Sequence, residues 1–208
     1  MTNGTVSPLA QSMGHIILLN GFPGVGKHAI ARAMQDSLPK STTRLIDNHI
    51  LIDPAEAIRP GRGPSHKALR KAICSVAFSA IKEDLNANPD LVFIMSACVG
   101  NNSDDIAVLH EYLDITRGTS VSFHMLNLRC GVEEHRKRFE GVERYQAGKK
   151  KLGDGKVLDA LVRENELVDL GEVNVGEGIL FQGKEFDTTD LPIEKSAAEI
   201  LGMVGWKG

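Results

Sequence analysis

The chain has 208 residues, enough for one large domain with its own core. Hydrophobic residues make up 42% and charged residues 25%, which excludes a disordered or fibrous chain. Lys plus Arg number 24 against 27 Asp plus Glu, and this net charge of −3 disfavours a strongly basic nucleic-acid binder. The three cysteines, Cys74, Cys98 and Cys130, are far apart and form no Cys-x-x-Cys pair. That argues against a disulfide framework and for a reducing, cytoplasmic compartment. No apolar run approaches the ~20 residues of a membrane span.

Residues 1–13 are rich in Ser, Thr, Gly and Asn and read as a disordered tail. They carry neither the charged start nor the apolar run of a signal peptide. Ile16 to Leu19 is a continuous apolar run, the mark of a strand buried on both faces. After a glycine-rich turn, Ile30, Ala33, Met34 and Leu38 recur at helical spacing, with Pro39 just beyond. Thr43 to Asp47 is a second strand, and Asp53 to Pro64 reads as a loop rich in Pro, Gly and Arg. Leu69, Ala72, Ile73, Val76, Ala80 and Ile81 predict a long amphipathic helix, broken at Asn88-Pro89-Asp90. Leu91 to Met95 is a third buried strand.

Ser103 with Asp104 and Asp105 suits a helix start, with Ile106, Leu109 and Leu113 as its apolar face and Gly118 after it. Val121, Phe123 and Met125 alternate and run into Leu126 and Leu128, a fourth strand. Val132, Phe139 and Val142 mark a further helix, Arg144 to Gly155 a basic loop, and Val157 to Val162 another helix. Ile179 to Phe186 is a fifth strand interrupted by Gly183, and Asp190 is a candidate cap for a last helix carrying Ile193, Ala197, Ile200 and Val204. This alternation predicts an α/β fold with a parallel sheet covered on both faces, and ligands beyond the carboxyl ends of its strands.

Gly21-Phe22-Pro23-Gly24-Val25-Gly26-Lys27-His28-Ala29 stands directly after the first strand. Gly21, Gly26 and Lys27 match the G-x-x-x-x-G-K core of the P-loop, or Walker A motif. Glycines let backbone N–H groups turn inward, where they and the next helix's N-terminus hold phosphate oxygens. Lys27 adds a point charge for the β and γ phosphates. The bare pattern occurs by chance roughly once in ten such chains; the strand before it and the helix after it make it specific. The eighth position is His28, where the motif has a Ser or Thr whose hydroxyl binds Mg²⁺. Imidazole is a poor ligand for that oxygen-preferring ion.

From about His15 onward the chain resembles the P-loop small-molecule and nucleotide kinases, such as shikimate, gluconate and adenylate kinases and chloramphenicol phosphotransferase. It looks closest to members with an Asp-Asn-His segment after the second strand, here Asp47-Asn48-His49. The resemblance implies a three-layer fold over residues 14–208 in a single domain. Its five-stranded parallel sheet has the order 2-3-1-4-5, with a lid at about 136–155. It implies ATP and Mg²⁺, a small-molecule hydroxyl or phosphate acceptor, and a monomer or homodimer without membrane or nucleic-acid partners. On this reading residues 21–29 bind the nucleotide, and Asp47 binds the metal and serves the acceptor. His49 is a second base candidate, since neutral imidazole can accept a proton. The plain alternative is that Asp47 and Asn48 shape a turn with His49 packed beneath it.

Arg59, Arg62, His66, Lys67 and Arg70 form a cationic cluster that suits an anionic acceptor, or a solvated basic face equally well. Gly100 and Asn101 follow the third strand at the same sheet edge and are further acceptor candidates. Between Arg129 and Lys151 stand eight Lys/Arg against four Glu. Arg136, Arg138 and Arg144 fall where the kinases have lid arginines, which stabilise transferred charge. Asp187 and Thr188 resemble the segment near the adenine. A non-catalytic nucleotide-binding protein remains the alternative that His28 favours; neither Asn-Lys-x-Asp nor a convincing Asp-x-x-Gly supports a GTPase. His15, His110, His124 and His135 are scattered and predict no metal cluster.

Overall fold

The computed structural model describes residues 14–61, 63–140 and 155–206. The expected tail, Arg62, Val142, Arg144 and most of the expected lid lie outside the described residues. Five strands, β1 (His15–Asn20), β2 (Thr43–Ile46), β3 (Val92–Ala97), β4 (Ser122–Arg129) and β5 (Leu180–Asp187), form one parallel sheet of order β2-β3-β1-β4-β5. The expected topology is therefore the observed one. The helices are α1 (Lys27–Ser37), α2 (Asn48–Ile58), α3 (Pro64–Ala87), α4 (Ser103–Leu113), α5 (Val132–Glu140), α6 (Gly155–Glu164) and α7 (Ile193–Met203).

Alternation along β1 divides the core. Ile17 and Leu19 pack with Ile30, Met34, Ala197 and Ile200 of α1 and α7. Ile16 and Leu18 face the opposite way, toward Leu51 of α2, Phe78 and Ile81 of α3 and Leu109 of α4. Both faces of the central strand are thus sealed, which is why its sequence is apolar without a gap. Among the described residues no helix is long and apolar enough to cross a membrane.

Five local expectations are corrected. The loop expected over 53–64 is helical as far as Ile58, because Asp47 caps α2 by accepting a hydrogen bond from the His49 N–H. Pro54 deprives that helix of one hydrogen bond, yet Leu51 and Ala55, one turn apart, bury against the core and hold it. Only residues 59–63 link α2 to α3, which opens with Pro64 at its first turn. The buried face of α3 is His66, Cys74, Phe78, Ile81 and Leu85, while Val76 of the expected face is 74% exposed. In α5 the inward residues are His135 and Phe139, one turn apart, and Val132 faces out. Pro192, not Asp190, stands at the cap of α7, without a side-chain bond. Gly183 does not interrupt β5, where it pairs with Met125.

Candidate active site

β1 delivers the chain at Asn20 to the carboxyl edge of the sheet, where Gly21–Gly26 turns it into α1. Gly26 has φ +105°, which a side chain would strain, and its backbone opens the helix directly before Lys27. A Cβ on Gly21 would lie 2.9 Å from the Leu128 carbonyl oxygen, so only glycine lets the loop leave between β1 and β4. Lys27 folds back along the loop, its Nζ donating to the carbonyls of Gly21 (2.6 Å) and Phe22 (3.0 Å). Its charge therefore lies across the loop that the helix N-terminus already makes favourable to anions.

Asp47, at the end of β2, is 7% exposed and heavily engaged. Its Oδ1 accepts from the His49 N–H (3.2 Å) and the Ser96 hydroxyl (3.3 Å), and Ser96 Oγ accepts from the Asn48 N–H (3.1 Å). Its Oδ2 lies 3.0 Å from Nδ1 of His28. A carboxylate only accepts, so that ring nitrogen is the donor. The structure thus brings the residue after Lys27 onto the expected metal-binding acid. Ser96 at the end of β3 completes the arrangement, a residue that sequence reasoning did not single out.

Mg²⁺ demands oxygen ligands in near-ideal octahedral geometry. Of the two side chains where P-loop kinases would hold it, the first does not meet that demand and the second is largely engaged already. One is an imidazole, and the other is a carboxylate with three protein donors on its two oxygens. Among the described residues no group of three or more His, Cys, Asp or Glu could hold a metal ion.

The remaining candidates divide. His49 bonds Asp53 one turn along α2 (Nδ1 to Oδ1, 2.9 Å), and only its backbone reaches Asp47. The cationic cluster is largely paired locally: Arg59 donates to the Ser65 carbonyl, Lys67 pairs with Asp104, and Arg70 with Glu111. His66 Nδ1 donates to the Arg59 carbonyl at 2.9 Å. Gly100 donates its N–H to Asp105 and bridges Leu167, and Asn101 donates its N–H to the Glu166 carbonyl. Asn102 caps α4, accepting from the Asp105 N–H. These residues hold the loop after β3 against the segment that follows α6.

Arg136 is half-buried on α5. Arg138 is turned toward the base of the cradle. Its Nε bonds Glu134, its Nη1 the Val25 carbonyl and Thr188 hydroxyl, and its Nη2 the Thr188 and Thr189 carbonyls. All five guanidinium donors are used. Thr188 is buried against the Val25 and Arg129 carbonyls, and Asp187 folds onto Thr189, whose hydrogen bonds lower the Asp187 pKa. His135, which sequence position alone leaves without a role, bonds the Pro23 carbonyl through Nε2 at 2.9 Å. α5 and the segment after β5 thus brace the cradle from below.

No family model matches the chain, and no curated protein matches its sequence. Its fold does match solved structures. The Deinococcus radiodurans tunicamycin resistance protein is 16% identical with TM-score 0.57, over 93% of this chain and 97% of that one. Thymidylate kinase from Candida albicans is 16% identical with TM-score 0.56, over 92% and 91%. A sugar kinase from Janibacter sp. HTCC2649 is 15% identical with TM-score 0.54, over 92% and 94%. The chain therefore has the P-loop kinase-like fold, with the five-stranded order seen here.

Proposed function

We propose that the protein is a phosphotransferase that takes ATP as donor and a small-molecule hydroxyl or phosphate as acceptor. The observation that carries this reading is the Gly21–Lys27 loop, with Lys27 Nζ laid across it, at the carboxyl edge of a parallel sheet of the P-loop kinase-like order. Such a cradle offers backbone N–H groups, a helix N-terminus and one ammonium to a polyphosphate. Residues 21–29 are the assigned nucleotide-binding segment, with Asp187 and Thr188 on the adenine side. The acceptor lies toward Asp47, His49, Arg59, Arg62, Gly100 and Asn101; Arg136 and Arg144 are the charge-stabilising arginines of this reading, while Arg138, whose donors all go to protein acceptors, braces the cradle from below. We read residues 14–208 as one cytoplasmic domain, a monomer or homodimer. Positioning and charge stabilisation are most of the task in phosphoryl transfer, and the cradle with Lys27 across it supports this reading on both counts.

The engagement of His28 with Asp47 favours a second reading, a nucleotide-binding protein without turnover. Two measurements separate the readings. Saturating ATP at about a hundred times its Kd stabilises the wild-type protein by about 2.7 kcal/mol, and Lys27→Ala loses most of that gain. A screen of small hydroxyl and phosphate compounds for stimulated ADP release identifies an acceptor with wild type and none with Lys27→Ala. Binding without any stimulated release selects the second reading. Absence of a thermal shift with either ATP or GTP overturns both.

A further inference from the structure

We propose that the His28–Asp47 pair stands in place of the protein's side-chain ligands to nucleotide-bound Mg²⁺. The cradle then binds nucleotide phosphates nearly as well without divalent metal as with it. This inference rests on the cradle reading and concerns what that site does with its metal.

His28 lies in the first turn of α1, next to Lys27, where a hydroxyl would otherwise face the metal. Its Nδ1 is 3.0 Å from Asp47 Oδ2, so the ring is held toward the end of β2. The same carboxylate caps α2 through the His49 N–H and takes the Ser96 hydroxyl. A metal ligated by Asp47 would have to compete with His28 for Oδ2, at a carboxylate whose side chain is only 10% exposed. Displacing His28 strips a largely buried acceptor of a donor, which is costly, although the His28 ring itself is 44% exposed and can turn to water. Restraint of Asp47 from β3 and α2 makes a shift of the carboxylate toward the phosphates equally costly. The pair therefore closes, on the protein side, both positions from which a side-chain oxygen would reach the ion. Phosphate recognition falls to the loop N–H groups, the α1 N-terminus and Lys27, none of which needs a metal.

The affinity ratio with and without metal is the coupling between metal and nucleotide, and it is the same whichever ligand is titrated. Calorimetric titration of ADP and of ATP into the full-length protein, in excess EDTA and in excess MgCl₂, measures it. We expect wild-type affinities to differ by less than about threefold between the two media. Shells around a metal ligand alone change metal affinity by about 10–100-fold, so His28→Ser, which restores a hydroxyl and releases Asp47, should raise the ratio to about tenfold or more. Electron spin-echo spectra of bound Mn²⁺–ADP should show no imidazole nitrogen coupled to the ion. A wild-type affinity that collapses in EDTA overturns the inference, whether or not His28→Ser folds. So does a histidine nitrogen on Mn²⁺, which would make His28 a ligand. Both outcomes leave the cradle reading intact. Failure to bind nucleotide in either medium overturns the cradle reading and this inference together.

Discussion

Asp47 is buried enough that each of its hydrogen bonds carries weight. Replacing it with Ala removes the α2 cap, typically about 1 kcal/mol, and removes the carboxylate to which Ser96 and His28 donate. We expect Asp47→Ala to lower unfolding free energy in urea by about 2–3 kcal/mol. Asp47→Asn keeps one carbonyl oxygen for the His49 N–H and should cost less than half as much. Equal losses for the two variants would mean that Asp47 acts through its charge and not as a cap. Lys27 differs in kind: it donates to loop carbonyls and is only half-buried, so Lys27→Ala should cost little stability and act through ligand binding.

α5 is held to the cradle by two side chains, His135 on Pro23 and Arg138 on Val25, Thr188 and Thr189. The planar fork of Arg138 spans two loops that no single ammonium could bridge. Arg138→Met keeps the aliphatic stem but removes the guanidinium bonds to Val25, Thr188 and Thr189, next to the buried Thr188, which should cost about 2–3 kcal/mol. For a chain of this length that is a fall in Tm of about 2–4 °C per kcal/mol. Arg138→Lys should recover only part of it. Full recovery by Lys in a melting scan would show that charge alone, without the fork, holds α5 to the cradle.

The molecule also has a polar core at the end of the sheet away from the cradle. His15 on β1 and His124 on β4 approach to 3.1 Å, Nδ1 to Nε2, with Lys184 and Gln182 of β5 beside His124. Burial, followed by the neighbouring His15 and Lys184, pushes the His124 pKa down to about 4, and burial lowers His15 as well. A histidine with a lowered native pKa takes up protons more readily when unfolded. Native stability is thus fullest above about pH 6.5 and falls between pH 6.5 and 4. For His124 the fall is about 3 kcal/mol. The lowered carboxylates Asp104, Glu134 and Asp187 act in a separate window, losing their contribution only below the ordinary carboxylate range. Urea unfolding at intervals from pH 7 to 4 should show the decline in wild type and a flatter profile in His124→Gln. Parallel profiles would assign the acid sensitivity to other groups.

Period and punctuation were legible without any structure. The gapless apolar run of β1, the helical spacing in α1 and the Gly21–Lys27 pattern are properties of neighbouring residues, and each resolved into the expected element. Resemblance then supplied the strand order. What the sequence could not decide are choices made between elements. Residues 53–58 open on Asp-Pro, a turn signal, yet they are helical, with Leu51 and Ala55 buried against the core. The outward turn of Val76 follows from where the sheet lies, since α3 has apolar residues on more than one face. Arg138 bonds Thr188 fifty residues away, and His28 on the helix after β1 meets Asp47 at the end of β2, across the sheet edge. Periodicity records which way a side chain points on its own element. Its partner depends on which elements the completed sheet brings side by side, and that is decided only when the core has formed.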